Sequence, residues 1–248
     1  MALFNFKRKQ CIKQNKEQTL SDFKDKHKGE RCFIIGNGPS LKIEDLEKLN
    51  NEICFAVNRI YLSFPNTKWR PTYYAIQDSK MLDQYIGDVA KLDLPYKFLP
   101  IAYENKFKNE KGKAFFYNYT LRLFNGTPPL FSDDISKLTY EGGTVTFLCM
   151  QIAFYMGFKE IILLGNDFTY SLEKTKDGVV VNNVKDYFVD NYIGNTETRF
   201  YPRMDLCEQG FKLARKKAEE RDIKIYNATR GGKLEVFERL NFDDIDFR

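Results

Sequence analysis

A chain of 248 residues, 43% hydrophobic and with a formal net charge of +5, can bury a core without disulfides or metals. That charge is too small for a dedicated nucleic-acid binder, and it suits an anionic small molecule or an anionic membrane surface better. A single histidine removes Ser-His-Asp hydrolysis and H-E-x-x-H metal sites, and five cysteines that never form C-x-x-C offer no zinc pattern.

Residues 1–29 read as a basic, mostly helical extension ending at Lys28-Gly29, ahead of a main domain over 30–248. Lys7, Arg8, Lys9, Lys13 and Lys16 follow Phe4 and Phe6, a composition compatible with weak peripheral membrane contact, although a solvated terminal helix explains it better. His27, between Lys26 and Lys28, reads as a solvated surface histidine. No apolar run has the length of a signal-peptide core or a membrane span, so the expected location is cytoplasmic, at most at the inner face of the membrane.

Short apolar runs predict strands at Cys32–Ile35, Ile53–Val57, Tyr73–Ile76, Lys97–Ile101 and Ala114–Tyr117. Helices are expected between them at Lys42–Leu49 and Met81–Leu92. Thr144–Phe158, apolar nearly all round, predicts a buried helix, and the strand Glu160–Leu164 follows it directly. Residues 168–203 are polar, with little periodicity and several tyrosines, and read as a lid. A helix over Met204–Arg221, a strand over Lys224–Tyr226 and an acidic surface tail close the chain. The alternation predicts an α/β fold, a mainly parallel sheet with helices on its faces. Most of the many aromatic residues are expected in its core, together with the reduced cysteines Cys32, Cys54 and Cys149.

The first strand opens into Gly36-Asn37-Gly38-Pro39-Ser40, a small-residue turn before a helix. In an open α/β sheet such a joint binds phosphate groups on outward-pointing N–H groups, yet it can equally be structural; it is neither G-x-G-x-x-G nor a Walker loop. Asn58, Asp78 and Asp167 also stand at the carboxyl ends of strands, which share one edge in a parallel sheet. Their convergence on one crevice is the informative expectation, since Asp78 alone is explained as a helix cap. With histidine scarce, any general base has to be a carboxylate, tyrosine or lysine. A magnesium ion would fall first to Asp78 and Asp167.

Five motifs, G-N-G-P-S-L, V-N-R, G-G-T-V-T-F, L-G-N-D-F and I-Y-N-A-T-R-G-G-K-L-E-V-F, stand in that order over roughly residues 31–240. They resemble the domain shared by archaeal 6-hydroxymethylpterin diphosphokinases, motility accessory factors and proteins of surface-polysaccharide clusters. The motif order is also similar to that of the small bacterial sialyltransferases, which have a Rossmann-like fold and use CMP-sialic acid without a metal. The resemblance implies a Rossmann-like fold with helices on both faces and the lid 168–203. It implies that Gly36, Asn37, Gly38, Pro39, Ser40, Asn58, Asp78, Gly142, Gly143 and Thr144 bind a nucleotide. By the same resemblance Asp167 lies near the base or ribose and Tyr192 meets the leaving phosphate. Arg199 and Arg203 in the lid could clamp a diphosphate or carboxylate bidentately. The sialyltransferase histidine is replaced by Asn195, and Asn accepts no proton at neutral pH, so the base would be Asp167 or Asp205, or the chemistry differs.

The resemblance therefore implies a glycosyltransferase-like enzyme of surface glycan synthesis, taking a nucleotide-sugar donor (CMP-linked in the sialyltransferase likeness) and a glycan acceptor, with no cofactor. Asp167, Tyr192 and Arg203 would carry its chemistry. A diphosphokinase of the pterin type, using ATP and magnesium, is the alternative. A non-catalytic nucleotide-binding or scaffold protein that has lost the base is a second. The role of the N-A-T-R-G-G segment stays open between loop architecture and an acceptor site.

Overall fold

The computed structural model describes residues 18–107, 114–120, 129–169, 172–175, 178–181, 186–190, 192 and 203–248. Its strands are β1 (Arg31–Ile35), β2 (Cys54–Val57), β3 (Tyr73–Ala75), β4 (Tyr96–Pro100), β5 (Ala114–Tyr117), β6 (Tyr119–Thr120), β7 (Thr139–Tyr140), β8 (Glu160–Leu164), β9 (Leu172–Thr175), β10 (Gly178–Val181), β11 (Lys224–Asn227) and β12 (Glu238–Arg239). Among the described residues four α-helices accompany them, α1 (Ile43–Lys48), α2 (Ser79–Lys91), α3 (Val145–Tyr155) and α4 (Met204–Glu219).

Eight strands form one sheet in the order β12-β11-β8-β1-β2-β3-β4-β5, and every pairing in it is parallel. A parallel sheet is covered on both faces, so its strands are apolar without alternation. β1 shows why. Cys32 and Ile34 enter the core on the side of α3 and α4, while Phe33 and Ile35 enter the opposite core beside Leu46 of α1 and Leu82 of α2. Every residue of α3 is buried, as its all-round apolar sequence requires. The result is the expected Rossmann-like fold, with strand limits within a residue or so of those read from sequence.

Three parts of the chain differ from expectation. Residues 1–17, and with them the basic cluster, lie outside the described residues, but 18–29 pack into the main domain. Phe23 sits in a ring of aromatic edges from Tyr73, Tyr96, Phe98 and Phe115. His27 is not solvated. Its ring stacks on Phe158 at 4.7 Å, hydrogen-bonds the Tyr73 hydroxyl at 2.6 Å and Glu30 at 3.1 Å, and its pKa is lowered chiefly by burial. The flanking lysines misled the reading, because the half-buried ring packs on Tyr73 of β3 and on Phe158 between α3 and β8.

The acidic end is likewise no free tail. Glu238–Arg239 extend the sheet as its edge strand, Phe242 is buried, and Phe247 packs on Phe242 and Phe33. Arg31 donates to the Asp246 carbonyl, and the Arg248 N–H to Glu52. Within residues 168–203 β9 and β10 pair antiparallel, structure that their polar composition did not announce.

All four described cysteines, Cys32, Cys54, Cys149 and Cys207, are buried free thiols. Burial raises the thiol pKa of each, so they remain unreactive packing groups.

Candidate functional site

β1 is flanked by β2 on one side and β8 on the other, so the chain runs outward from β1 in one direction and resumes at β8 in the other. Ligands of open α/β sheets bind at such a reversal, outside the carboxyl ends of the strands. Here a cavity of about 530 Å³ opens at that place.

Its floor is the crossing of two loops. The Gly36 N–H donates to the Leu164 carbonyl, and the Gly38 N–H to that of Gly165, tying the turn after β1 to the turn after β8. The approach leaves no room for side chains. A Cβ on Gly36 would stand 2.3 Å from the Gly165 carbonyl oxygen, and one on Gly38 1.8 Å from the Asp167 carboxylate. Asp167 holds the same turn, accepting from the Ser40 N–H at 3.2 Å and the Ser40 hydroxyl at 2.8 Å. Burial raises its pKa, against the lowering pull of both Ser40 bonds. Gly36, Asn37, Gly38 and Asp167 line the cavity; Pro39 and Ser40 lie behind it, Ser40 as the clamp on Asp167.

The N-terminus of α3 forms a second wall. Gly143, with φ +77, and Thr144 line the cavity, and the Thr144 hydroxyl caps the helix by accepting from the Thr146 N–H. A helix start brings unsatisfied N–H groups and a partial positive charge, an anion site in waiting. Gly142 does not line the cavity. It lies under the Phe147 ring, and its carbonyl lies 2.8 Å from where a Cβ on Gly210 of α4 would stand, so both glycines serve close packing.

The third wall is polar. Asn58, in the left-handed region at φ +51, is held by its N–H to the Ala75 carbonyl and by its carbonyl to the Tyr74 hydroxyl. Asp78 caps α2 through the Lys80 and Met81 N–H groups and also lines the cavity, so cap and site are one residue. Gln77, Tyr119 and Glu141 join them. Among the described residues, four buried side-chain polar atoms lack a hydrogen-bond partner: Asn37 Oδ1, Asn58 Oδ1, Gln77 Nε2 and Glu141 Oε2. All four belong to residues of this cavity. Buried polar atoms are normally satisfied, so their concentration here marks a surface built to meet something else.

Tyr192, in the segment 168–203, lines the cavity. Its ring stacks on Tyr187 at 3.9 Å, its hydroxyl accepts from the Arg59 N–H at 3.4 Å, and the Arg59 guanidinium donates to its carbonyl. The Phe188 N–H donates to the Asn37 carbonyl and seats residues 186–190 on the turn after β1. Arg203 does not join the site. It precedes α4 at the surface, with its guanidinium on Asp205 at 2.6 and 2.9 Å. The same pair takes Asp205, a candidate base, away from the cavity and lowers its pKa. Asn195 and Arg199 lie outside the described residues.

The N-A-T-R-G-G segment proves to be a belt behind Asp167. The Asn227 amide donates to the Leu234 carbonyl, Thr229 Oγ1 accepts from the Asn166 N–H, and the Lys233 N–H donates to the Asp167 carbonyl. Arg239 gathers the carbonyls of Thr229, Gly231 and Gly232, and Arg230 pairs with Asp45 and Asp243. Sequence reading missed Gln77, Tyr119 and Glu141 as site residues; a carboxylate three residues before the N-cap of the buried helix was the available signal for Glu141.

Among the described residues, no group of three or more His, Cys, Asp or Glu is placed to hold a metal ion, and no helix is long and apolar enough to cross a membrane. A family model described as 6-hydroxymethylpterin diphosphokinase MptE-like matches residues 9–173, more than half of the chain. No curated protein sequence matches it. The MAf glycosyltransferase from Magnetospirillum magneticum AMB-1 shares the fold, with a TM-score of 0.58 at 14% identity over 93% of this chain. The alignment covers 38% of that protein, so the present chain spans little more than a third of its length. The sialyltransferase CstII from Campylobacter jejuni, solved with cytidine-5'-monophosphate, aligns at 16% identity and a TM-score of 0.49 over 86% of this chain and 85% of its own.

Proposed function

This chain belongs to the 6-hydroxymethylpterin diphosphokinase MptE-like family, and from that premise we propose that it is a glycosyltransferase-like enzyme acting on a nucleotide-activated sugar in bacterial surface glycan synthesis. The observation that carries the reading is the concentration of unpartnered polar atoms in one switch-point cavity beside a helix N-terminus. A nucleotide sugar presents both things those walls ask for. Its phosphate suits the N–H groups at the start of α3, and its hydroxyls suit the acceptor-rich wall of Asn58, Asp78 and Glu141. The close-crossing turn of Gly36–Ser40 lets the nucleotide approach backbone, and Tyr192, packed against Arg59, offers a hydroxyl to the departing phosphate. The glycosyltransferase activity of the MAf neighbour and the motif order favour sugar transfer, and the motif order favours cytidine. Assembly at the cytoplasmic face of the membrane accords with this role.

The family's description favours a second reading, pyrophosphate transfer from ATP. Its magnesium would rest on Asp78 or Asp167 with the nucleotide phosphates. Both carboxylates already accept hydrogen bonds from the fold, which weighs against it.

A thermal-shift panel of CMP, CDP, UDP, GDP and ATP, with and without magnesium, separates the readings. A ligand at a hundredfold excess over its Kd adds about 2.7 kcal/mol of stability. Stabilisation by a cytidine nucleotide without metal is the expected result. Stabilisation by ATP with magnesium alone would transfer the assignment to the diphosphokinase, and no shift at all would favour a scaffold.

A further inference from the structure

Transfer of a sugar to a hydroxyl requires a group to take that hydroxyl's proton, and the sole histidine, His27, is enclosed against Phe158 and does not line the cavity. Resting on the sugar-transfer reading, we propose that Glu141 is the proton acceptor: it is a lining residue of the cavity just before the Gly142-Gly143 turn into α3, and its Oε2 is buried without a hydrogen-bond partner.

Asp167 and Asp78, by contrast, are already bonded to the fold. Asp167 accepts two bonds from Ser40, and Asp78 accepts two backbone N–H bonds at the start of α2. The oxygens that accept these bonds are engaged in holding the Gly36–Ser40 turn and the start of α2. Glu141 Oε2 has none, so binding a proton relieves an unsatisfied buried charge. Its pKa accordingly stands above the ordinary value, raised by burial and then by the negative charge of Asp78. Asp78, Tyr117, Tyr119 and Cys207 are the titratable groups that feel or influence its charge, and Lys80, Asp167 and Asp186 stand elsewhere on the cavity lining. Its place two residues before Gly143 sets the base next to the wall that suits the donor phosphate.

The step balances without a metal or redox partner. The acceptor oxygen forms a bond to the anomeric carbon while its proton passes to the Glu141 carboxylate. The bond from that carbon to the phosphate oxygen breaks, and the nucleotide leaves with the electron pair. The protonated Glu141 then returns its proton to water. A base positioned in this way contributes about 10²–10⁴-fold to the rate.

The test uses the full chain with CMP-N-acetylneuraminate, UDP-N-acetylglucosamine and GDP-mannose, measuring nucleotide release to water or to added glycan. Glu141→Gln is expected to lower kcat by about 10²–10⁴-fold, with KM and the thermal shift from free nucleotide unchanged. The acidic limb of the wild-type kcat/KM profile disappears in this variant, and formate restores turnover to Glu141→Ala. Wild-type kcat and pH profile in Glu141→Gln would overturn the assignment, as would loss of the nucleotide-induced shift in both variants, which would make Glu141 a binding residue. No release from any of the three donors by the wild type would overturn the sugar-transfer reading and Glu141 with it.

Discussion

Gly36→Ala is expected to destabilise the fold by about 3 kcal/mol, the upper range for forcing a group into packed space. For a chain of this size that lowers Tm by roughly 6–12 °C. The obstacle is backbone: the added methyl would stand 2.3 Å from the Gly165 carbonyl oxygen and 2.9 Å from its carbon, so no rotamer change relieves it. The two loops must part, and the Gly36 and Gly38 N–H bonds to Leu164 and Gly165 stretch with them. Because that crossing is the floor of the cavity, nucleotide-induced stabilisation should vanish even below the new Tm. Gly87→Ala, on α2 with nothing within 4 Å of the added group, is the matched control: it should add about 0.5–1 kcal/mol of helix stability and leave the nucleotide-induced shift unchanged. A Gly36→Ala protein that melts and binds like the wild type would mean that the loops do not cross this closely.

Asp167 should separate stability from binding. Asp167→Ala removes the acceptor for the Ser40 N–H and hydroxyl, and a lost bond to a charged group costs about 1.5–3 kcal/mol. Asp167→Asn keeps an oxygen for the Ser40 N–H and turns an amide N–H toward a hydroxyl that can accept it. The sign of the charge effect follows from linkage. Burial raises the folded pKa of Asp167 above the ordinary 3.8, so its favourable contribution exists below that value and is lost as pH rises through the folded pKa. At neutral pH the carboxylate therefore weighs on the folded state, and the neutral amide removes that weight. The free Asp167→Asn protein should melt at or above the wild-type temperature, while Asp167→Ala melts below it. The nucleotide-induced shift should shrink in both, since the carboxylate faces the cavity. Melting of Asp167→Asn as low as that of Asp167→Ala, read by thermal denaturation at pH 7, would contradict this account.

Much of this was legible in the chain for one physical reason. β1, β2, β3 and β8 are buried on both faces, so they appear as unbroken apolar runs, and the polar residue after each run marks a shared sheet edge. Asn37, Asn58, Asp78 and Asp167 were found by that logic, and the structure brings all four to the cavity. What remained hidden depends on contacts between distant segments. Glu141 and Gln77 are single polar residues in turns, and only the approach of the segments after β3 and before α3 brings both to one cavity. Arg203 was drawn to the site by its place in a polar lid, yet a carboxylate two residues away already holds it. Phe242 and Phe247 looked like passengers in an acidic tail because the pair they form docks on Phe33 of β1, far away in the sequence.

The most direct test of the nucleotide site is a crystal structure with CMP. Its phosphate should lie against the first turn of α3 at Gly143 and Thr144, with the nucleoside over the Gly36–Ser40 turn and Tyr192 beside the phosphate. A nucleotide bound elsewhere, for instance in the shallow depression beside Phe64 and Arg70, with the β1–β8 cavity left to solvent, would contradict it.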